Sequence, residues 1–343
     1  MKNACPSLLC LAVWLVLAAN LPAASAPWPE LAKKPDAWFT QSEGKRAVEN
    51  VLTWQAPSGA WPKNTDTTAK PYAGDVKKLQ GTFDNGATTD ELRFLTQAFR
   101  ARKEPQLEEA FLRGFDHILA AQYTNGGWPQ YAPPPASKYH RHITFNDATM
   151  VRLMEFLREA ADNFSFLDQD RRKQARAAFD RGVECILRCQ VVVDGRLTVW
   201  CAQHDEVTLE PRPARTYELA SLSGAESAGL LRLLMNLENP SPKVRRAIEA
   251  GVAWFESVQL KGIRIAKVNG DKRVVKDAAA PPLWARFYEI GSNRPIFAGR
   301  DGVKKYDVAE IESERRNGYS WHGPGGERVA QDFENWRQRH GNH

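Results

Sequence analysis

The segment Gln55-Ala-Pro-Ser-Gly59-Ala-Trp61-Pro62 recurs as Gln122-Tyr-Thr-Asn-Gly126-Gly-Trp128-Pro129, so both copies read Q-x-x-x-G-x-W-P at a period of 67 residues. Repetition on that scale restricts a chain to architectures in which one supersecondary unit packs on copies of itself. Each copy follows a stretch with apolar residues three and four apart and precedes a loop that opens a second such stretch. Phe83-Asp84-Asn85-Gly86-Ala87-Thr88 is one opening, and Phe145-Asn146-Asp147-Ala148-Thr149 is the other. A degenerate third copy runs from Gln190 to Trp200 and is followed by Ser221-Leu-Ser-Gly224-Ala-Glu226-Ser227. Two helices per unit, with the loop always between them, predict an all-α fold: an (α/α)3 toroid of helical hairpins with long irregular loops and a few short β-strands. Strand alternation is confined to Val191–Trp200, turning at Asp194-Gly195, and Gly262–Val275, turning at Asn269-Gly270. The Gly-x-Trp-Pro element is read first as a tight turn capped by a packed indole.

Composition bounds the rest. Of 343 residues, 43% are hydrophobic and 26% charged, enough to bury a large core. Lys2, the apolar run Leu8 to Ala19 and Ala24-Ser25-Ala26 have the layout of a secretory signal peptide over residues 1–26. That leaves a single domain over 27–343, expected to be secreted or periplasmic and monomeric. No later segment approaches the ~18 apolar residues of a membrane span. The net charge of +6 is mild, and no Lys/Arg run points to nucleic acid, but an acidic partner such as a polyanionic polysaccharide suits it. Beyond the leader the cysteines are Cys185, Cys189 and Cys201. An odd number permits at most one internal disulfide, with Cys201 bridging to either of the others, or three buried thiols.

G-x-G-x-x-G after a strand, Walker A, H-E-x-x-H and G-x-S-x-G are all absent, which excludes the enzyme classes that need them. What remains is polar residues at helix entrances. Asp84-Asn85 and Asn146-Asp147 occupy corresponding places in two units, and oxygens gathered this way suit a hard cation such as Ca²⁺, although an aspartate like Asp147 also serves as an N-cap. Asp90-Glu91, in a first helical turn, serve the helix dipole. The segment His204-Asp205-Glu206 to Tyr217-Glu218 is polar and proline-interrupted, a loop at the same end, in which Glu206 or Arg212 alone reads as solvated charge. Further on, Trp284-Ala-Arg286-Phe-Tyr288-Glu289, Asn293-Arg294 and Gly299-Arg300-Asp301-Gly302 alternate arginines with aromatics and glycines. Arginines held this way grip carboxylates bidentately.

Taken in order, Gly59-Ala-Trp61-Pro62-Lys63-Asn64, Phe83-Asp84-Asn85-Gly86, Asn125-Gly126-Gly127-Trp128-Pro129-Gln130-Tyr131, Ile143-Thr144-Phe145-Asn146-Asp147, Gln203-His204-Asp205, Arg215-Thr-Tyr217-Glu218, Ser223-Gly224-Ala-Glu226 and the arginine blocks to Gly302 resemble the signature of family 10 pectate lyases. The likeness spans about Gly44 to Gly323. It implies an (α/α)3 toroid of a secreted bacterial enzyme acting on polygalacturonate or pectin by Ca²⁺-assisted anti β-elimination. A base would remove the C5 proton, α to a uronate carboxylate, and the C4–O bond would break to leave an unsaturated sugar. On matching positions the resemblance implies Arg300 as the base, with Arg294 near enough in sequence to exchange with it, and Asp84, Asn85 and Asp147 as Ca²⁺ ligands. Arg215, Arg286, Arg294, Asp205, Trp128 and Tyr131 would meet the substrate, and Trp61 would pack in the core. A neutral arginine base demands local positive charge and alkaline conditions.

Three other readings compete. Q-x-x-x-G-x-W is also the repeat of terpene-cyclase toroids, which need a D-x-D-D motif that is absent here. A glycoside hydrolase would need two carboxylates flanking a bond, such as Asp84 with Asp205 or Glu226. A non-catalytic pectin-binding protein would keep the arginines and show no turnover.

Overall fold

The computed structural model describes residues 26–135 and 139–340. The expected leader lies outside them except for Ala26. Helices are α1 Trp28–Leu31, α2 Asp36–Thr40, α3 Ser42–Thr53, α4 Thr89–Arg102, α5 Pro105–Ala120, α6 Thr149–Asp162, α7 Gln169–Cys189, α8 Gly224–Met235, α9 Pro242–Ser257, α10 Ser313–Gly318 and α11 Gly325–His340. Local chemistry explains several starts: Asp168 caps α7 and Ser241 caps α9, and Pro105 and Pro242 take first-turn positions where no N–H is needed. α4, α6 and α8 line up as one layer and α5, α7 and α9 as a second, so the hairpins α4/α5, α6/α7 and α8/α9 stand side by side. α2 and α3 precede them against α4, and α11 closes onto α8 and α9. The result is an α/α toroid, as the repeat predicts. Among the described residues no helix is long and apolar enough to cross a membrane.

The repeat has a structural cause in two side chains. Gln55 Nε2 donates to Gly59 O (2.9 Å) and to Ala110 O of α5 (2.8 Å), and Gln122 Nε2 donates to Gly126 O (3.0 Å) and to Ala178 O of α7 (2.8 Å). Gln190 repeats the act on Thr198 O and on Ala247 O of α9, both 2.9 Å, so the degenerate third copy is a true one. Each glutamine thus ties the turn after one outer helix to the next outer helix. The indoles follow suit: Trp61, Trp128 and Trp200 each donate Nε1–H to a carbonyl of the preceding helix, Val51, Ile118 and Ile186. Trp284 does the same to Phe255 O at 2.8 Å, a fourth copy hidden by an insertion between Phe255 and Trp284. Gly126 shows why glycine is required in the turn: its φ is +95°, and a Cβ there would lie 2.0 Å from Arg181 O.

Cys185, Cys189 and Cys201 are all buried free thiols, so the disulfide alternative falls away. The Gly262–Val275 hairpin forms as β1 Ile263–Val268 and β2 Asp271–Lys276, paired antiparallel, and is part of the insertion before Trp284. The remaining strands are two-residue clips between loops. Ile143–Thr144 pairs with Gln203–His204, Leu222–Ser223 with Phe287–Tyr288, and Trp284–Ala285 with His322–Gly323. These clips fasten the loops that carry the candidate site.

At the start of α4, Thr88 and Glu91 form a capping box: Thr88 N–H donates to Glu91 Oε2 at 2.8 Å, and Thr67 Oγ1 lies 3.3 Å from Oε1. Burial pushes the Glu91 carboxyl up from 4.5 to about 8. A raised folded-state value means that this stabilisation is complete below the unfolded pKa and is lost as pH rises through about 8. Glu91→Gln keeps the acceptor without the titration. Its unfolding free energy, followed against pH, should gain on wild type between pH 5 and 8 by at most about 1.4 kcal/mol per pH unit, and parallel curves would remove the assignment.

Candidate active site

Two 3₁₀ turns, Asp84–Gly86 and Asn146–Ala148, lie against each other at the entrances of α4 and α6. Both follow a buried phenylalanine, and both hold their second residue in the left-handed region, Asn85 at φ +55° and Asp147 at φ +51°. Asn and Asp tolerate that conformation better than other side-chain-bearing residues. The register reverses the acid and the amide: Asp84 corresponds to buried Asn146, and Asp147 to exposed Asn85. The two acids therefore occupy different depths.

Asp84 is 2% exposed. Its Oδ2 accepts from Lys63 Nζ and from Gln130 Nε2 (2.7 Å), while its buried Oδ1 has no hydrogen-bond partner. Burial opposes the Lys63 charge, but Asp84 outweighs it and the lysine pKa rises. Asn85 Nδ2 donates to Asn64 Oδ1 at 2.9 Å. A buried carboxylate oxygen without a partner is an acceptor left over by the protein's own hydrogen bonds, and the donor types of Asp84, Asn85 and Asp147, two carboxylates and an amide, are those a hard divalent ion takes.

Arg286 lies between two of the strand clips and binds three acceptors through Nη2: Glu226 Oε1 at 2.5 Å, Asp147 Oδ1 at 3.2 Å and Asn146 Oδ1 at 3.3 Å. Ser223 Oγ donates to the other oxygen of Glu226. Burial works against the guanidinium, yet Glu226, Tyr319 and Asp147 together raise its pKa and fix it as a cation. Its Nε is buried without a partner, a donor available to an anion.

From Arg286 a row of rings and guanidinium groups runs along the wall. Arg286 lies 4.7 Å from the Tyr319 ring centroid and Arg215 5.8 Å from it. Tyr319 and Tyr217 pack edge to face at 5.3 Å, and Tyr217 is approached by Arg215 (5.2 Å), Arg315 (4.8 Å) and Arg300 (5.7 Å). Arg215 is held by buried Glu218, which more than offsets the effect of burial and raises its pKa, and Tyr319 Oη donates to the same carboxylate at 2.6 Å. Among the described residues Arg300 is paired only with Glu314, at 3.1 Å, and both side chains are more than half exposed. Tyr139 is within electrostatic reach of Arg215 and Glu218 on one side and Lys63 and Tyr131 on the other. Tyr139, Arg141, His142 and Arg215 line an open depression of about 620 Å³.

Not every expected residue joins this group. Trp128 is fully buried with its indole N–H on Ile118 O, so it cannot meet a polysaccharide: the repeat turn consumes it as core, as it does Trp61. Arg294 stacks on Tyr306 at 3.7 Å, whereas Arg300 is on Tyr217, which separates the two arginines that sequence leaves interchangeable. Asp205 organises its own turn: Oδ1 accepts from Val207 and Thr208 N–H, both at 2.9 Å, and Oδ2 from Arg212 Nε at 3.0 Å. Those bonds, the one from Thr208 first, hold its carboxyl down at about 2. Tyr131 does reach the site, with Lys63 Nζ 5.8 Å from its ring centroid. Among the described residues the one group of three His or acid side chains at mutual ligating distance is His142, Asp205 and Glu206, which includes none of the expected Asp84, Asn85 and Asp147. Its carboxylates already carry Arg212 and Arg141. Sequence reasoning gave no role to Lys63, Tyr139, Glu218 or Tyr319. Lys63 follows the first Trp-Pro where the second copy has Gln130, a difference between repeats that marks the position, but Tyr319 has no such signal.

The pectic acid lyase family model matches residues 55–330. The structure is similar to a family 10 polysaccharide lyase from Cellvibrio cellulosa, solved as an aspartate-to-alanine mutant in complex with trigalacturonic acid, with a TM-score of 0.78 and 33% identity over 91% of this chain and 97% of that one. A second structure of a family 10 polysaccharide lyase from Cellvibrio cellulosa gives a TM-score of 0.77 and 32% identity, covering 94% and 99%. Among curated proteins no sequence matches. The chain belongs to the pectic acid lyase family and is a family 10 polysaccharide lyase.

Proposed function

We propose that this protein is a secreted pectate lyase that cleaves polygalacturonate by Ca²⁺-assisted anti β-elimination and releases 4,5-unsaturated oligogalacturonides. The observation that carries the reading is the pairing of a buried acid pocket, Asp84 with an unpartnered Oδ1, with the arginine and tyrosine row that starts at Arg286. In a polysaccharide lyase, the acid pocket suits a divalent cation and the row suits uronate carboxylates. The trigalacturonic acid bound by the Cellvibrio relative supports the same substrate class.

The difficulty of the reaction is that a C5 proton is acidic only if charge on the adjacent carboxylate is neutralised. Ca²⁺ held by Asp84, Asn85 and Asp147 would supply part of that neutralisation. Arg286 and Arg215, kept cationic by Glu226 and Glu218, bind and orient uronates and hold their charge at alkaline pH. Arg300 is the base. Three guanidinium groups, those of Arg215, Arg300 and Arg315, surround Tyr217. Arg300 is the most exposed of the three, and its ion pair, with a Glu314 that it shares with Arg315, is the longest of theirs at 3.1 Å. It takes the C5 proton as the C4–O bond breaks and C4=C5 forms, and water protonates the departing oxygen. A second reading, Arg215 as the base, is favoured by its sharing of the Tyr319 ring with Arg286.

A hydrolase needs a protonated carboxylic acid beside the scissile bond. Glu226, Glu218 and Asp147 are each bound by an arginine and Asp84 by a lysine, so these carboxylates are engaged by cations. Mass spectrometry of a polygalacturonate digest decides the matter. Lyase products are lighter by one water than hydrolytic ones, and products of full hydrolytic mass would overturn the proposal. Export rests on the leader over residues 1–26, and N-terminal sequencing of the exported protein should begin at Pro27.

A further inference from the structure

The β1–β2 hairpin has no part in the chemistry above, yet Lys261 to Asp277 carries six cations, Lys261, Arg264, Lys267, Lys272, Arg273 and Lys276, against Asp271 and Asp277. Its net of four positive charges is most of the +6 of the whole chain. The register pairs Ile263 with Lys276, Ile265 with Val274 and Lys267 with Lys272, so one face holds three lysines and no carboxylate. Two lysines directly opposite on one face repel, and such a pair weakens a ribbon unless something anionic lies over it. Both acids are spent elsewhere: Asp271 on Arg273 and Arg316, and Asp277 on Arg264. Lys261, Lys267 and Lys276 are exposed and have no carboxylate partner among the described residues.

The hairpin is fixed in place, not loose. Asp271 binds Arg316 and Asn317, Asn317 Oδ1 accepts from Lys272 N–H at 2.9 Å, and Lys272 Nζ donates to Tyr319 O at 3.3 Å. Its anchor is therefore the segment whose Tyr319 ring underlies Arg286 and Arg215. A rigid basic ribbon fastened to the wall of a site for a linear polyanion is complementary in charge to a further stretch of that polymer. We propose that β1–β2 is an auxiliary binding surface for an anionic polysaccharide chain, separate from the cleavage site, that holds polymeric substrate by exposed lysines. The identity of the polymer rests on the polygalacturonate reading. Because the lysines are exposed, the attraction is screened by salt. It acts by raising the local concentration of an attached chain, so it helps polymers and not short oligomers.

The test compares wild type with the triple variant Lys261→Gln, Lys267→Gln, Lys276→Gln. Retardation in native gels containing polygalacturonate at low ionic strength should weaken about tenfold in apparent affinity, and the difference should vanish at high salt. Turnover of trigalacturonate should stay unchanged, which also certifies the fold. Unchanged retardation with normal turnover would sink the surface alone. Weaker retardation by the variant, with no unsaturated product from either protein, would leave the surface standing and sink the lyase reading. Equal losses of trimer turnover and retardation would make the hairpin part of the cleft and contradict the proposal. So would lysine-dependent binding to anionic phosphatidylserine vesicles stronger than that to polygalacturonate.

Discussion

Arg300→Ala is expected to reduce kcat on polygalacturonate by about a thousandfold, the usual contribution of a positioned general base, with KM moved only a few-fold. The reason for the split is the position of Arg300: it lies at the outer end of the arginine row, paired with an exposed glutamate, and contributes little to the fixed charge that Arg286 and Arg215 present. Arg215→Ala is expected to show the opposite pattern, a rise in KM larger than the fall in kcat. Steady-state kinetics on both variants assign the roles. If Arg215→Ala removes kcat while Arg300→Ala only weakens binding, the base is Arg215 and the second reading holds.

Arg286→Ala is expected to damage both activity and stability. It strips the counter-charge from Glu226, which is 6% exposed, and from Asp147. Removing one partner of a buried ion pair costs about 3–5 kcal/mol, which for a chain of this size lowers Tm by roughly 4–7 °C. The double variant Arg286→Met, Glu226→Gln separates the two effects, since it removes the charge and its partner together. Its Tm should recover most of the loss while activity stays absent. A double variant as unstable as the single would show that Arg286 supports the fold by packing on Tyr319 and not by charge.

The fold was legible because the repeat is carried by side chains with a fixed structural task. Gln55, Gln122 and Gln190 bridge outer helices, and the tryptophans of the turns bond the helix before them, so the spacing that the sequence repeats is the spacing that the toroid needs. Trp284 performs the same task but escaped notice because the β1–β2 insertion destroys the period. The same logic misled at Trp128, where membership of the repeat outranks its aromatic character: the task is in the core. Asp84 and Asp147 were legible as neighbours from the repeat, but not their unequal depth, since the swap of Asp-Asn for Asn-Asp acquires meaning only once the left-handed residue is located. Arg286 was recoverable from its aromatic neighbours, and Arg215 only from the resemblance of its block. Tyr319 was not, because nothing near it in the chain repeats, and only folding brings it between Arg286 and Arg215. The ion pair of Lys63 with Asp84 was equally hidden, being a product of two loops meeting at the toroid's end, whereas Glu218 lies only three residues from Arg215.

The central claim is elimination assisted by a cation in the acid pocket, and the most direct measurement is ultraviolet absorbance of the purified protein with polygalacturonate at alkaline pH, first with added Ca²⁺ and then with excess chelator. The account predicts a steady rise from the conjugated unsaturated uronate that stops when the chelator is added and resumes on restoring Ca²⁺. New reducing ends without that absorbance would contradict elimination, and a rise indifferent to the chelator would contradict the role given to Asp84, Asn85 and Asp147.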